Sequence, residues 1–159
     1  MKIQDNTVIL PKPTEKLLLE HERKWRLKLP EDYKDFVMNY SGGIPEEKFF
    51  RCNKRNYEVT RFLCILKNVS ETKEGWYDIS VVESQIGERL TDNGDLIGVE
   101  ILPVAELFAG DYVCLDYREN RETPCVCIWS NDESGDFDPV TYKVADTFKE
   151  FVALLNNDQ

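Results

Sequence analysis

The sequence predicts an α+β protein in which helices pack against one face of a mainly antiparallel sheet. Two segments with helical apolar spacing stand near the start and a third closes the chain, while runs rich in aromatic and β-branched residues lie between them. No internal repeat or linker-like stretch interrupts the 159 residues, a length that suits one domain with its own core. We therefore expect a single domain over residues 1–159, with its core between about 14 and 155.

The N-terminal segments predict a helical hairpin. Thr14 is placed to cap a helix that begins at Glu15. Leu29-Pro30 ends the first helix and opens the second, with Pro30 at the first helical position, and Gly42-Gly43 ends the second helix because glycine adopts positive φ at no steric cost. The second helix carries one apolar stripe at i, i+3, i+4 and i+7, formed by Tyr33, Phe36, Val37 and Tyr40. A C-terminal helix repeats this spacing at residues 148, 151, 152 and 155.

The region between the helices predicts the sheet. Runs typical of strands cover residues 49–52, 57–66, 96–102, 112–117 and 125–129, and residues 142–144 add a short strand. Ser80-Val81-Val82-Glu83 has the form of a capping box, which indicates a short helix from Ser80. Residues 67–77 are expected to form an exposed loop.

The charge of the chain is negative and uneven. The net charge is −10, and residues 1–60 carry 12 Lys and Arg against 10 Asp and Glu, whereas residues 61–159 carry 8 against 20. Such a surface repels phosphate backbones and anionic lipid, so we expect neither nucleic acid nor a membrane as a partner. It suits a basic protein partner. The alternative is that the acidity only keeps the domain soluble.

The cysteines and the N-terminus indicate a cytoplasmic protein. The first residues do not resemble a signal peptide, and no apolar run approaches the roughly 20 residues that span a bilayer. Five cysteines are an odd number, so we expect free thiols that serve as small apolar residues. Cys125-Val126-Cys127 has one residue between its thiols and no second ligand pair, so no metal site is expected.

The residues show no catalytic constellation. His21 is the one histidine and lies on the first helix, so a nucleophile–base pair of the usual kind is lacking. Gly42-Gly43 follows a helix, whereas a phosphate-binding loop must precede one. We therefore expect a protein that is not an enzyme and holds no cofactor.

The carboxylates after Trp129 are the main candidate functional residues. Four of them fall within seven residues, and their mutual repulsion makes the free protein less stable. The spacing of a calcium loop is absent, which leaves a solvated turn or a surface that steers a basic partner. Trp129 is either an anchor for that partner or a core residue. The candidate partner-binding residues are Asp95, Asp116, Asp132, Glu133, Asp136 and Asp138.

Four motifs, in this order along the chain, resemble those of the SUKH superfamily. The resemblance extends from about residue 14 to 155, and Ser41 stands where the family usually has Asn. The matching residues are Leu29, Pro30, Asp32, Tyr33, Phe36, Gly42 and Gly43, then Gly110, Asp111, Cys114, Leu115 and Asp116, then Pro124, Val126 and Trp129, and finally Thr147, Phe148 and Phe151.

The resemblance implies a SUKH-like fold with an N-terminal helical hairpin and a C-terminal helix. Bacterial members are mostly immunity proteins that neutralise toxins, often nucleases, and fungal members include cell-wall-synthesis regulators. We accordingly expect a non-enzymatic immunity protein that neutralises a cognate, basic, nuclease-type polymorphic toxin. The alternatives are a regulatory protein-interaction scaffold linked to cell-wall synthesis and a small-molecule-binding domain that uses the aromatic-rich sheet.

Overall fold

Four helices and one six-stranded sheet form the protein in a computed structural model, which describes all 159 residues. The helices are α1 (Glu15–Trp25), α2 (Glu31–Tyr40), α3 (Ile79–Ile86) and α4 (Phe148–Leu154). The strands are β1 (Phe49–Cys52), β2 (Arg55–Phe62), β3 (Ile101–Leu107), β4 (Tyr112–Asp116), β5 (Cys125–Trp129) and β6 (Thr141–Ala145). Short 3-10 turns occupy residues 69–71, 75–77, 87–89 and 108–110.

The sheet is an antiparallel meander whose spatial order follows the chain from β1 to β6. A core of 27 buried residues joins the sheet to all four helices, and a smaller cluster forms where Leu90 meets Ile101, Cys114, Cys127 and Trp129. Cys114 lies directly opposite Cys127 across β4 and β5, and Tyr112 lies opposite Trp129. The predicted α+β class, with its helical hairpin and closing helix, is confirmed.

The third strand lies further along the chain than the predicted segment 96–102. Gly98 has a φ of +95°, and a Cβ on it would lie 2.6 Å from the Trp25 carbonyl oxygen. The backbone is therefore pressed against the end of α1, where the Val99 N–H donates to the same carbonyl at 2.9 Å. The strand instead runs through Pro103, which sits next to a register shift where its missing N–H is tolerated.

The prediction that Ser80 caps α3 is wrong by two residues, because the cap is Asp78 and the helix begins at Ile79. The Asp78 carboxylate accepts the N–H groups of Ser80 at 2.8 Å and Val81 at 3.3 Å. It also accepts the Leu66 N–H at 2.8 Å, which connects the start of α3 to the chain that follows β2. Burial raises the pKa of Asp78, and the three N–H donors oppose that rise.

The turn after α2 requires glycine at position 42. Gly42 has a φ of +71°, and a Cβ built on it would lie 2.5 Å from Ile9 Cδ1. We expect Gly42→Ala to lower the free energy of unfolding by about 2–4 kcal/mol, because alanine is strained there and also collides with the Ile9 side chain. The measurement is the urea midpoint at an unchanged slope.

Gly135→Ala is the matched control for that substitution. A Cβ on Gly135 meets no atom within 4 Å, so its effect should stay below about 0.5 kcal/mol. Equal losses in the two variants would contradict the steric argument.

Candidate functional site

Arg89, in the turn that follows α3, holds the acidic loop of residues 131–138. Its guanidinium donates to Asn131 Oδ1 at 2.8 Å, to the Asn131 carbonyl at 2.5 Å and to the Ser134 carbonyl at 2.8 Å. The same group lies 5.0 Å from the ring centroid of Trp129, whose indole N–H donates to the Arg89 carbonyl at 2.9 Å. One side chain therefore connects the loop to the buried end of β5.

Further bonds fix both ends of this loop. Asp111 accepts the Asn131 N–H at 2.8 Å, so the start of β4 anchors the loop where it begins. The Phe137 N–H donates to the Glu88 carbonyl at 2.6 Å, so the turn after α3 anchors it near its end. The loop is therefore held at both of its ends and is preorganised before any partner binds.

Six carboxylates on this loop and on the segment 88–95 form what we call the acidic surface. All six side chains are exposed, and none lies within 4.0 Å of a Lys, Arg or His nitrogen; the four ion pairs of the protein involve other residues. The Phe137 ring joins the two segments, since it lies 3.5 Å from the position of a Cβ on Gly94. The acidic surface consists of Glu88, Asp92, Asp95, Asp132, Asp136 and Asp138.

The acidic surface includes four of the six candidate residues named from the sequence. Glu133 adjoins it but accepts the Tyr142 hydroxyl at 2.7 Å and 2.8 Å through its two oxygens, a bond that raises the pKa of Tyr142. Asp116 ends β4 opposite Cys125, whereas the acidic loop leaves the other end of the β4–β5 pair. Its carboxylate pairs with Arg118 at 2.8 Å.

Sequence reasoning missed Glu88, Asp92 and the organising role of Arg89. More than 40 positions separate Arg89 from the residues that it binds, and no periodicity links the two segments. The one available signal is that the acidic stretch 83–95 contains a single cation, Arg89.

Two exposed aromatic rings flank the acidic surface. Phe137 lies within the acidic loop, has a φ of 56° and is 44% exposed. Phe108 is 70% exposed in the turn between β3 and β4, which the Asp111–Asn131 bond joins to the loop. Large aromatic groups in water next to charges are typical of protein-interaction surfaces. Trp129 is fully buried, which confirms its interpretation as a core residue.

His21 and the five cysteines are the remaining potentially reactive side chains, and their contacts are those of structural residues. His21 Nδ1 lies 3.0 Å from the Leu17 carbonyl oxygen, and its ring meets Trp25 edge-on at 4.9 Å. All five cysteines are free thiols, and burial raises the pKa of each, so none is held as a reactive thiolate.

Two further features of the structure concern metals and membranes. No group of three or more His, Cys, Asp and Glu side chains is arranged to hold a metal ion. None of the helices has the length and apolar character that crossing a bilayer requires.

The SMI1-KNR4 cell-wall family, one of the SUKH families, matches residues 15–152. The chain belongs to this family. A similar curated protein is the SPbeta prophage-derived uncharacterized protein YokK of Bacillus subtilis (strain 168), which is 24% identical over 152 residues, 89% of this chain and 74% of the relative. No solved structure matches the chain. The SUKH resemblance read from the four motifs is thus confirmed at the level of the family.

The anchoring role of Arg89 predicts how the acidic loop responds to its removal. Arg89→Ala takes away three hydrogen bonds to the loop, so amide hydrogen exchange over residues 131–138 should accelerate by at least about tenfold. Arg51→Ala, which removes an exposed cation of β1 that forms no ion pair, should leave exchange in the loop unchanged. An unchanged loop in the Arg89 variant would show that other contacts hold it.

Proposed function

We propose that this SUKH protein is a non-enzymatic, single-domain immunity protein of the cytoplasm that binds a basic, nuclease-type toxin and blocks its substrate site. The observation that carries the proposal is the acidic surface, with six exposed carboxylates that have no cationic partner within the molecule. Family membership supports it, since many bacterial SUKH proteins have this role.

The electrostatics favour a basic partner. Carboxylates at such density repel one another and lower the stability of the free protein, and cations of a partner would relieve that repulsion. A nuclease must present cations to hold the phosphates of its substrate, so its substrate site has the complementary charge. Complementary charge mainly raises the association rate and disfavours wrong partners.

The rigidity of the acidic loop favours tight binding. Arg89 and Asp111 fix the backbone of the loop before any partner arrives, so little conformational entropy is lost on association. Phe137 provides apolar area within the loop, and Phe108 is exposed in the turn that the Asp111–Asn131 bond joins to it. Aromatic side chains that become buried on association supply a large share of the affinity at many protein interfaces.

A regulatory scaffold for cell-wall synthesis is the second candidate, because the description of the family refers to the cell wall. Such a scaffold would engage envelope-growth proteins through the same surface, without inhibiting any toxin. Loss of the gene would then alter cell-wall growth in cells that meet no toxin.

Neutralising three carboxylates of the acidic loop tests the charge mechanism. The variant Asp132→Asn/Asp136→Asn/Asp138→Asn should associate with the toxin encoded beside its gene at least about tenfold more slowly at low salt. Association of the wild type should slow as salt rises, and the variant should show a shallower salt dependence. Stopped-flow association rates and residual toxin activity are the measurements.

The matched control removes the same charge elsewhere. Asp35→Asn/Glu46→Gln/Asp158→Asn changes three exposed residues that form no ion pair, and its association rate should stay within about twofold of the wild type. The loop variant should be at least as stable as the wild type at low salt, because repulsion is relieved. Salt-independent association with no loss in the loop variant would contradict the role of the acidic surface, and undiminished toxin activity would contradict the immunity role.

A further inference from the structure

A cleft beside the C-terminal end of α1 has the opposite charge from the rest of the molecule. It lies between α1 and the β4–β5 hairpin loop and has a volume of about 530 Å³. Nine residues line it, and only two of them, Glu22 and Glu122, are acidic, although the chain has 30 Asp and Glu against 20 Lys and Arg. The five basic lining residues are Arg23, Arg26, Lys28, Lys34 and Arg121.

Hydrogen bonds hold the two walls of this cleft together. The Arg121 guanidinium donates to the Arg26 carbonyl at 2.7 Å and to the Trp25 carbonyl at 3.3 Å, at the end of α1. The Tyr117 hydroxyl donates to the Lys28 carbonyl at 2.7 Å. The hairpin loop and the end of α1 therefore form one fixed unit, and the shape of the cleft is built into the fold.

Of the charged residues that line the cleft, the buried Glu22 is already paired within the protein, whereas three of the five basic residues are exposed and form no ion pair. Glu22 accepts the Leu29 N–H at 2.8 Å and lies 3.7 Å from Lys34 Nζ, so its charge is already compensated. Arg23, Arg26 and Lys28 are exposed and form no ion pair. Their mutual repulsion would be relieved by an anionic ligand.

We propose that this cleft binds an acidic segment of a partner protein. Arginine side chains pair with carboxylates through two parallel hydrogen bonds, and Arg23 in the last turn of α1 and Arg26 directly after the helix both line this cleft. Leu19, 47% exposed on the same wall, offers contact to an apolar side chain between the carboxylates. None of the six carboxylates of the acidic surface lines this cleft, so both surfaces can be occupied together.

The backbone around the cleft favours a peptide over a compact phosphate. The end of α1 presents carbonyl oxygens, which form the negative pole of the helix, and Arg121 already occupies those of Trp25 and Arg26. Phosphate sites are typically built from converging backbone N–H groups at a helix N-terminus. Here the unpaired positive charge is carried by the long side chains of Arg23, Arg26 and Lys28.

The test uses the full chain and a fluorescently labelled peptide, Glu-Glu-Leu-Glu-Glu-Leu-Glu-Glu, in an anisotropy titration at low salt. The wild type should bind with a Kd below about 1 mM, and Arg23→Glu/Arg26→Glu should weaken binding at least about tenfold. The control Arg51→Glu/Lys54→Glu makes the same change of charge on the exposed β1–β2 hairpin and should stay within about twofold. Equal urea midpoints establish that both variants fold.

Three outcomes would overturn the proposal. Equal weakening in the two charge-reversal variants would show that the peptide responds only to overall charge. Binding of sodium pyrophosphate without binding of the peptide would identify a phosphate site. Self-association of the wild type in sedimentation, lost in Arg23→Glu/Arg26→Glu, would show that a second copy of this chain occupies the cleft. None of these measurements involves the toxin, so their result is independent of the proposed function.

Discussion

The contact between Arg89 and Trp129 connects the core to the surface that we propose to be functional. The guanidinium lies against the face of a fully buried indole and at the same time satisfies carbonyl groups of the acidic loop. A lysine could not replace it, because an ammonium group lacks the planar fork that stacks on a ring while donating to several acceptors. The buried cluster around Trp129, the turn after α3 and the loop 131–138 all meet at this contact.

This arrangement explains how a carboxylate-rich loop remains ordered. Repulsion among Asp132, Asp136 and Asp138 favours an expanded loop, and at physiological salt it acts over about 8 Å. The opposing bonds are made by backbone groups of the loop and by the side chains of Asn131 and Ser134, whereas these three carboxylates accept none. The groups that carry the negative charge are therefore not the groups that hold the loop. The three carboxylates therefore remain available to a partner. Their mutual repulsion lowers the stability of the free protein, as is common at functional sites.

The sequence predicted those parts of the fold that depend on local signals. Thr14 caps α1 by accepting the Leu17 N–H at 3.2 Å, and glycine ends α2, because both signals lie within a few residues of the helix ends. The start of β3 could not be predicted in this way. It depends on the close approach of Gly98 to the end of α1, more than 70 positions earlier.

The acidic surface, like the fold, could be predicted only in part from the sequence. Residues 132–138 were recognisable from their density of carboxylates, but density alone also selected Asp116, which lies at the far end of the β4–β5 pair. Glu88 and Asp92 join the acidic surface because Arg89 and the Glu88 carbonyl bond the loop and the Phe137 ring packs near Gly94. Contacts of this kind are decided by tertiary structure and leave no periodic trace in the chain.

The residues that carry the SUKH resemblance also position the acidic surface. Asp111 and Trp129 belong to the family-like motifs, and they hold Asn131 and Arg89 respectively. Residues that define the fold thus hold the acidic loop in position, whereas the carboxylates of the acidic surface make none of the bonds that hold it. A scaffold built in this way can change the charge pattern of its loop without losing its fold. Such independence is what a family of partner-specific binding proteins requires, because specificity must vary while the framework stays constant.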